Sequence, residues 1–194
     1  SQEYEKYLET INRQIKDIEK LVNEFSNFAR MPRPILKKIN IVNVIKKSLD
    51  FIKMTSKSSI NLITKDKEIF INGDEDQLNR VFINLIKNSQ EAIDEISKKD
   101  TKFKGNIDIE IDNNNDYIVC RLTDNGSGIT DPKKAMTPYF TTKKTGTGLG
   151  LPIVTKIINE HLGDFSIRNK KKGKGTIISI CLLYTSPSPR DWDE

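Results

Sequence analysis

Three short stretches of this chain combine residue types that could do chemistry. The first is Asn84-Leu85-Ile86-Lys87-Asn88, with two carboxamides four residues apart. On a helix that spacing puts both on one face. An amide oxygen there, completed by phosphate oxygens and waters, can enter the octahedron of a hard cation such as magnesium. The second is Asp124-Asn125-Gly126-Ser127-Gly128-Ile129, directly after an alternating stretch. A half-buried carboxylate at a strand's end can accept from an exocyclic amine, and the two glycines let backbone pass closely under a flat ligand. The third is Gly146-Thr147-Gly148-Leu149-Gly150-Leu151-Pro152-Ile153-Val154. Glycines at every second position run into a helix whose first turn tolerates Pro152, and free N–H groups at such a start suit phosphates.

Each stretch alone has a plainer explanation. The asparagines could be surface residues of an Asn-rich chain, Asn125-Gly126 could be a tight hairpin turn, and the third stretch an ordinary glycine loop. It is neither the G-x-G-x-x-G of a dinucleotide fold nor a Walker loop, which ends in G-K-[S/T].

The elements that must position these residues follow from periodicity. Asp74 and Gln77 form a capping-box pattern opening a helix through about residue 96, with Leu78, Val81, Phe82, Leu85, Ile86, Ser89 and Ile93 inward. Strands are expected over 59–64, 68–72, 106–112, 117–123, 164–168 and 176–183, and a helix over about 150–161. Asn43 can cap a short helix bearing Val44, Ile45, Leu49 and Ile52. Upstream, Tyr4, Leu8, Ile11, Ile15, Ile18, Val22 and Phe25 step by four and three, the seam of a coiled coil or helical bundle. That helix would run ~43 Å and end where Pro32 and Pro34 force an extended linker. The sum is an α+β sandwich, a mixed sheet with helices on one face, preceded by a long coiled-coil-type helix.

Composition removes several classes. The 194 residues hold 36% hydrophobic and 30% charged side chains, so a core is possible with much of the chain facing water. No apolar run approaches the ~18–20 residues of a membrane span. The net charge of +5 comes from lysines dispersed among acids, which argues against a nucleic-acid binder despite the run at Lys170, Lys171 and Lys172. With one histidine, His161, and two separated cysteines, Cys120 and Cys181, a zinc site is disfavoured; two reduced core thiols are expected.

Together the motifs say more than each alone. The order N-x-x-x-N, D-x-G-x-G, G-x-G-x-G resembles the Bergerat-type ATP-binding domain shared by sensor histidine kinases, type II topoisomerases, Hsp90 and MutL. Pro138-Tyr139-Phe140-Thr141-Thr142-Lys143-Lys144 is similar to the phenylalanine box and ATP lid of the kinases, and Gly175-Thr176 to their closing Gly-Thr. The resemblance implies ATP and Mg²⁺ as cofactors. Asn88 would hold the metal, with Asn84 and Lys87 beside it in the catalytic group. Asp124 would read the adenine amine, with Gly126, Gly128, Ile129 and Thr176 around it. Phe140, Thr142, Lys143, Lys144, Gly146, Thr147, Gly148, Leu149, Gly150 and Leu151 would line the nucleotide, the lysines and glycines at its phosphates. The ATP-hydrolysing members and the serine-directed kinases are expected to carry Glu at the position of Asn84. An amide has no useful basicity, so the resemblance narrows to a histidine kinase.

Residues 22–34, Val-Asn-Glu-Phe-Ser-Asn-Phe-Ala-Arg-Met-Pro-Arg-Pro, resemble the second helix of the dimerisation unit in NtrY-like nitrogen-regulation sensor kinases. The expected organisation is 1–31 as that helix, 32–38 as linker, 39–183 as catalytic domain and 184–194 as a foreign or disordered tail. The first helix of the unit, which carries the acceptor histidine, is absent from the chain, and Ser1 suggests an excised fragment. His161 reads as a helix-end residue, not the acceptor. Implied partners are a response regulator receiver domain and a second copy, through the N-terminal helix of the full-length protein. Nucleic acid is not among them, and a membrane enters only through absent segments of a cytoplasmic domain's inner-membrane parent. The alternative is a non-enzymatic dimerising nucleotide switch that binds a response regulator.

Overall fold

The computed structural model describes residues 2–53, 56, 58–114, 116–141 and 146–184. In chain order the elements are α1 (Gln2–Ala29), β1 (Lys37–Asn40), α2 (Ile41–Lys53), β2 (Ser59–Thr64), β3 (Phe70–Gly73) and α3 (Glu75–Ser97). Then come β4 (Asn106–Asn114), β5 (Tyr117–Asp124), α4 (Pro132–Ala135), α5 (Gly150–Glu160), β6 (Asp164–Asn169) and β7 (Thr176–Leu183).

Alternation builds the main sheet. Ile107, Ile109 and Ile111 of β4, Ile118, Cys120 and Leu122 of β5, and Ile178, Ile180 and Leu182 of β7 are buried on one face. The five strands run β2-β4-β5-β7-β6, with β2 parallel to β4 and the other pairs antiparallel. The same period of two carries Asp124, at the end of β5, and Thr176, at the start of β7, onto the buried face. Position, not polarity, puts them inside.

Three helices cover that face, α3 lying between α2 and α5. The seven inward residues expected for α3 are its seven buried residues. Each fully buried aliphatic or aromatic side chain stabilises the fold by roughly 1.5–3 kcal/mol, enough to fix the helix against rotation. No helix among the described residues is long and apolar enough to cross a membrane.

Several local expectations need correction. The cap of α2 is Asn40, whose Oδ1 accepts from the N–H groups of Val42 at 3.0 Å and Ile69 at 3.3 Å; Asn43 lies inside the helix. Strand β1, placed partly in the expected linker, pairs antiparallel with β3 and had no alternating signal of its own. Tyr184, assigned to the tail, bridges Ile71 and packs on the core; residues 185–194 lie outside the described residues. Cys120 is a core thiol pushed up to about 12 by burial and the nearby Cys181, but Cys181 is half-buried on the opposite face of the sheet.

The capping box of α3 is only half built. Asp74 Oδ1 accepts from the Gln77 N–H at 3.1 Å, while the Asp74 N–H donates to His161 Nε2 at 2.9 Å. Gln77 instead donates from Nε2 to the Pro32 carbonyl at 3.0 Å, and the Ile35 N–H donates to Asp74 Oδ2 at 2.9 Å. The polar start of α3 therefore anchors the proline segment. Burial acts to raise the Asp74 carboxyl, but donation from the backbone of Ile35, Gln77 and Asp76 outweighs it, and the group sits below the usual carboxylate range. His161 caps the end of α5 with Nδ1 2.8 Å from the Ile157 carbonyl, so the proton is on Nδ1 and Nε2 is the acceptor.

Helix α1 stands apart. None of its residues is buried, and its seam is open to solvent, from Tyr4 at 68% to Leu8 at 42%. Its C-terminal part meets the rest: Phe28, with Met31 beyond it, packs on the core, and Lys156 Nζ lies 5.4 Å above the Phe28 ring.

Candidate nucleotide site

Helix α3 brings the candidate residues together. One turn from Asn84 to Asn88 faces the start of α5: a Cβ built on Gly150 would stand 3.8 Å from both Asn84 Oδ1 and Asn88 Nδ2. Asn84 also donates to the Arg80 carbonyl at 3.0 Å. Lys87 points elsewhere, its ammonium 5.9 Å from the Phe51 ring of α2. One residue past Asn88, Ser89 turns toward the sheet and donates to Asp124 Oδ2 at 3.0 Å. Further along, the Ser127 N–H donates to the Ala92 carbonyl at 3.0 Å, and Ser127 Oγ to Glu95 at 2.7 Å. The amide pair, the aspartate and the first glycine loop thus follow one another down a single helix.

Asp124 is 2% exposed and its oxygens are satisfied by the fold. Oδ1 accepts from the N–H groups of Gly126 at 2.9 Å and Thr176 at 3.1 Å, and Oδ2 from Ser89. An ionised carboxyl has about four acceptor directions, so Oδ2 retains one for an exocyclic amine. Ser89 is a site residue the motifs missed, its hydroxyl having been counted as part of the apolar stripe. Its place in that stripe was the available signal, since a buried hydroxyl needs a partner.

The segment after Asp124 is not a hairpin turn, because β5 pairs with β4 and β7 while the chain leaves the sheet toward α4. Asn125 holds that exit, accepting from the Asn106 N–H at 2.8 Å and donating to the Lys104 carbonyl at 2.9 Å. The fold itself calls for both glycines. A Cβ on Gly126 would meet Ala92 Cβ at 2.7 Å, and one on Gly128, at φ +83°, would meet Asn169 Oδ1 at 2.9 Å. Both let the loop close on protein. Ile129 is held there by its backbone, donating to Asn169 Oδ1 at 2.8 Å and accepting from Nδ2 at 2.7 Å.

At the opposite end the third motif opens α5. Among the described residues Leu149 stands at the cap position without a side-chain cap bond, which leaves the start of the helix open to an outside acceptor. Leu149 is buried and Leu151 half-buried against the core, which leaves mainly their backbone to face the loop side. The Tyr139 N–H donates to the Gly148 carbonyl at 3.0 Å, which draws Phe140 and the second glycine loop together. Tyr139 holds φ +66° and Gly148 φ +70°, and a Cβ on Gly148 would stand 2.6 Å from the Tyr139 carbonyl carbon. Helix α1 reaches this end: Thr147 Oγ1 donates to Glu24, and the Phe25 and Tyr139 rings lie 6.3 Å apart. Between them runs a cleft of about 330 Å³ lined by Asp17, Ile18, Leu21, Tyr139, Gly146 and Thr147. Thr142, Lys143 and Lys144 lie outside the described residues.

Residues 73–186 match the family of histidine kinase-, DNA gyrase B- and HSP90-like ATPases, more than half of the chain. The chain belongs to this family. Over 92% of its length it is 36% identical to a protein named as an NtrY-like sensor histidine kinase in Rickettsia conorii, and over 98% it is 29% identical to the nitrogen regulation protein NtrY of Azorhizobium caulinodans. It spans only 29% and 25% of those relatives. Among solved structures, the nucleotide-free catalytic domain of the histidine kinase ThkA superposes with TM-score 0.65 at 25% identity, over 76% of this chain and 95% of that one. ThkA in complex with the response regulator TrrA reaches 0.72 at 20% identity, over 93% of this chain and 51% of that one, which is likeness of fold. The family's ATPase domain is therefore present, on a mixed sheet with a helical layer.

A donor set of Asn88 amide oxygen, phosphates and water suits Mg²⁺, and the uncapped start of α5 beside Asn84 and Asn88 suits a triphosphate.

Proposed function

We propose that this chain binds ATP along α3, with adenine at Asp124 and the phosphates at the start of α5. It then transfers the γ-phosphoryl group to a histidine outside these 194 residues, for relay to a response regulator receiver domain. The observation that carries the reading is the juxtaposition along one helix of a buried, acceptor-ready Asp124 and the Asn84/Asn88 pair facing a glycine-rich helix start. Asn88 would hold Mg²⁺, which when bound neutralises charge on the phosphate oxygens. In the transfer the bond from the γ-phosphorus to the β,γ-bridging oxygen breaks, a P–N bond forms at an imidazole nitrogen, and ADP leaves. Asn84 supplies no base, and an imidazole acceptor needs little deprotonation: its lone pair attacks, and the phosphorylated ring releases its extra proton to water. His161 is a poor acceptor, 5% exposed with both ring nitrogens engaged.

In the same reading 1–31 form the second helix of a dimerisation unit, 32–38 a linker and 39–183 the catalytic domain. The solvent-open seam of α1 supports pairing through that helix in a full-length, membrane-anchored homodimer. The contact between Glu24 and Thr147 favours a second reading, a nucleotide-dependent switch without transfer.

Two measurements decide. Titration calorimetry with Mg²⁺ and ATP is expected to show saturable binding; no heat at any concentration sinks both readings. Labelled ATP is expected to leave no acid-labile phosphate on the chain alone but to phosphorylate a supplied acceptor hairpin. ATP binding without transfer to that hairpin would favour the switch, and label on His161 would overturn the assignment of that residue.

A further inference from the structure

Asn169, outside every motif, closes β6 opposite Thr176, the first residue of β7. Thr176 donates its N–H to Asp124 Oδ1 at 3.1 Å, and Asn169 takes both backbone groups of Ile129, at 2.8 Å and 2.7 Å. One cross-strand pair thus grips both ends of the loop 124–129. The hairpin behind it is shut by the Lys170 N–H donating to the Gly175 carbonyl at 3.0 Å. Gly175 holds φ +123°, and a Cβ there would stand 2.0 Å from the Asp124 carbonyl oxygen, so glycine is what lets the hairpin sit this near the loop.

From this we infer that Asn169 is a positioning residue for the purine half of the nucleotide site, setting Ile129 in register with Asp124. The inference rests on the reading that this loop holds adenine. A carboxamide offers a donor and an acceptor in one plane, as a backbone N–H and C=O require. Aspartate could accept from Ile129 but would press its second oxygen against the Ile129 carbonyl. Alanine would offer nothing, leaving Gly128 and Ile129 free to take other backbone conformations.

The test is calorimetric titration of the 194-residue chain with ATP, adenosine and inorganic tripolyphosphate, on the native protein, Asn169→Ala, Asn169→Asp and, as a control in the same hairpin, Lys171→Ala. ATP and adenosine are expected to bind about tenfold more weakly to Asn169→Ala, and no better to Asn169→Asp, with tripolyphosphate affinity unchanged. Lys171→Ala should leave adenosine affinity alone. Unaltered adenosine affinity in a folded Asn169→Ala overturns the inference, as does equal weakening of all three ligands, the mark of a merely structural role. Absence of ATP binding by the native chain overturns the underlying reading and this inference with it. Should Asn169→Ala fail to fold, the isosteric Asn169→Asp decides by the same criteria. If neither folds, hydrogen exchange of the native chain decides: adenosine should further slow exchange at the Ile129 amide while tripolyphosphate does not, and no difference between them overturns it.

Discussion

The two ends of the site are built differently. At the end proposed for adenine the loop 124–129 is held by the fold: Asp124 by Gly126, Thr176 and Ser89, Ser127 by Ala92 and Glu95, Ile129 by Asn169. At the phosphate end α5 starts without a side-chain cap, Tyr139 holds a left-handed backbone, and α1 supplies contacts through Glu24 and Phe25. A base is flat and rigid, so a preorganised acceptor recognises it at small entropic cost. A triphosphate is flexible and charged, and backbone N–H groups at a helix start bind it without a fixed side chain. Under the proposed reading, recognition would be fixed at one end, whereas the other would be open to the helix that precedes the domain.

The largest effect should follow from removing the fixed acceptor. Asp124→Ala is expected to weaken ATP by at least about a hundredfold, read by calorimetry, because the amine loses its partner and the Gly126 and Thr176 donors are orphaned. An affinity within threefold of the native value would show that the base is not read there. Gly148→Ala attacks the other end. A Cβ at φ +70°, 2.6 Å from the Tyr139 carbonyl carbon, must displace the glycine loop. About a thirtyfold loss of ATP with adenosine unaffected is expected, and equal loss of both would break the division into two ends. Ser89→Ala should cost about tenfold in both ATP and adenosine, since one donor to the buried Asp124 is lost while two remain.

Much of this was legible in the sequence. The seven buried positions of α3 repeat at helical spacing, and the alternation in β5 and β7 delivers Asp124 and Thr176 to the core face without any knowledge of the fold. Long-range polar partners were not legible. Nothing local links Asn169 to Ile129, His161 to Asp74 or Gln77 to Pro32, because each bond joins residues distant in sequence. The role of the glycines was half legible: their spacing marks close approach, but what approaches is Ala92 and Asn169, which only tertiary packing supplies. Strand β1 has no local signal because it is only four residues long and its partner β3 is distant in sequence, Lys37 pairing with Gly73 and Asn40 with Phe70.

Asp74 tests whether the proline segment is part of the domain. Asp74→Ala removes the cap of α3 and the acceptor for Ile35, and should lower stability by about 1 kcal/mol at pH 7 in urea unfolding. The carboxyl is lowered in the fold from its ordinary 3.8, so the native advantage is full above about pH 4 and is lost as pH falls through the lower folded value. The gap between native and variant should therefore narrow only below that range. A gap that persists unchanged in acid would assign the stabilisation to something other than the ionised cap.

Glu24→Gln is the gentlest probe and bears directly on the responsive end. Glu24 accepts from Thr147 Oγ1 beside the start of α5, so its negative charge lies close to where the phosphates would bind. Glutamine can still accept from that hydroxyl, but without the charge that opposes a triphosphate. Stability should change by less than about 0.5 kcal/mol, as for other surface substitutions. ATP affinity should rise about twofold at low salt, with the gain fading as ionic strength increases, while adenosine affinity stays constant. A gain that appears equally with adenosine would mean that α1 acts on the whole site, and the distinction between a fixed and a responsive end would not hold.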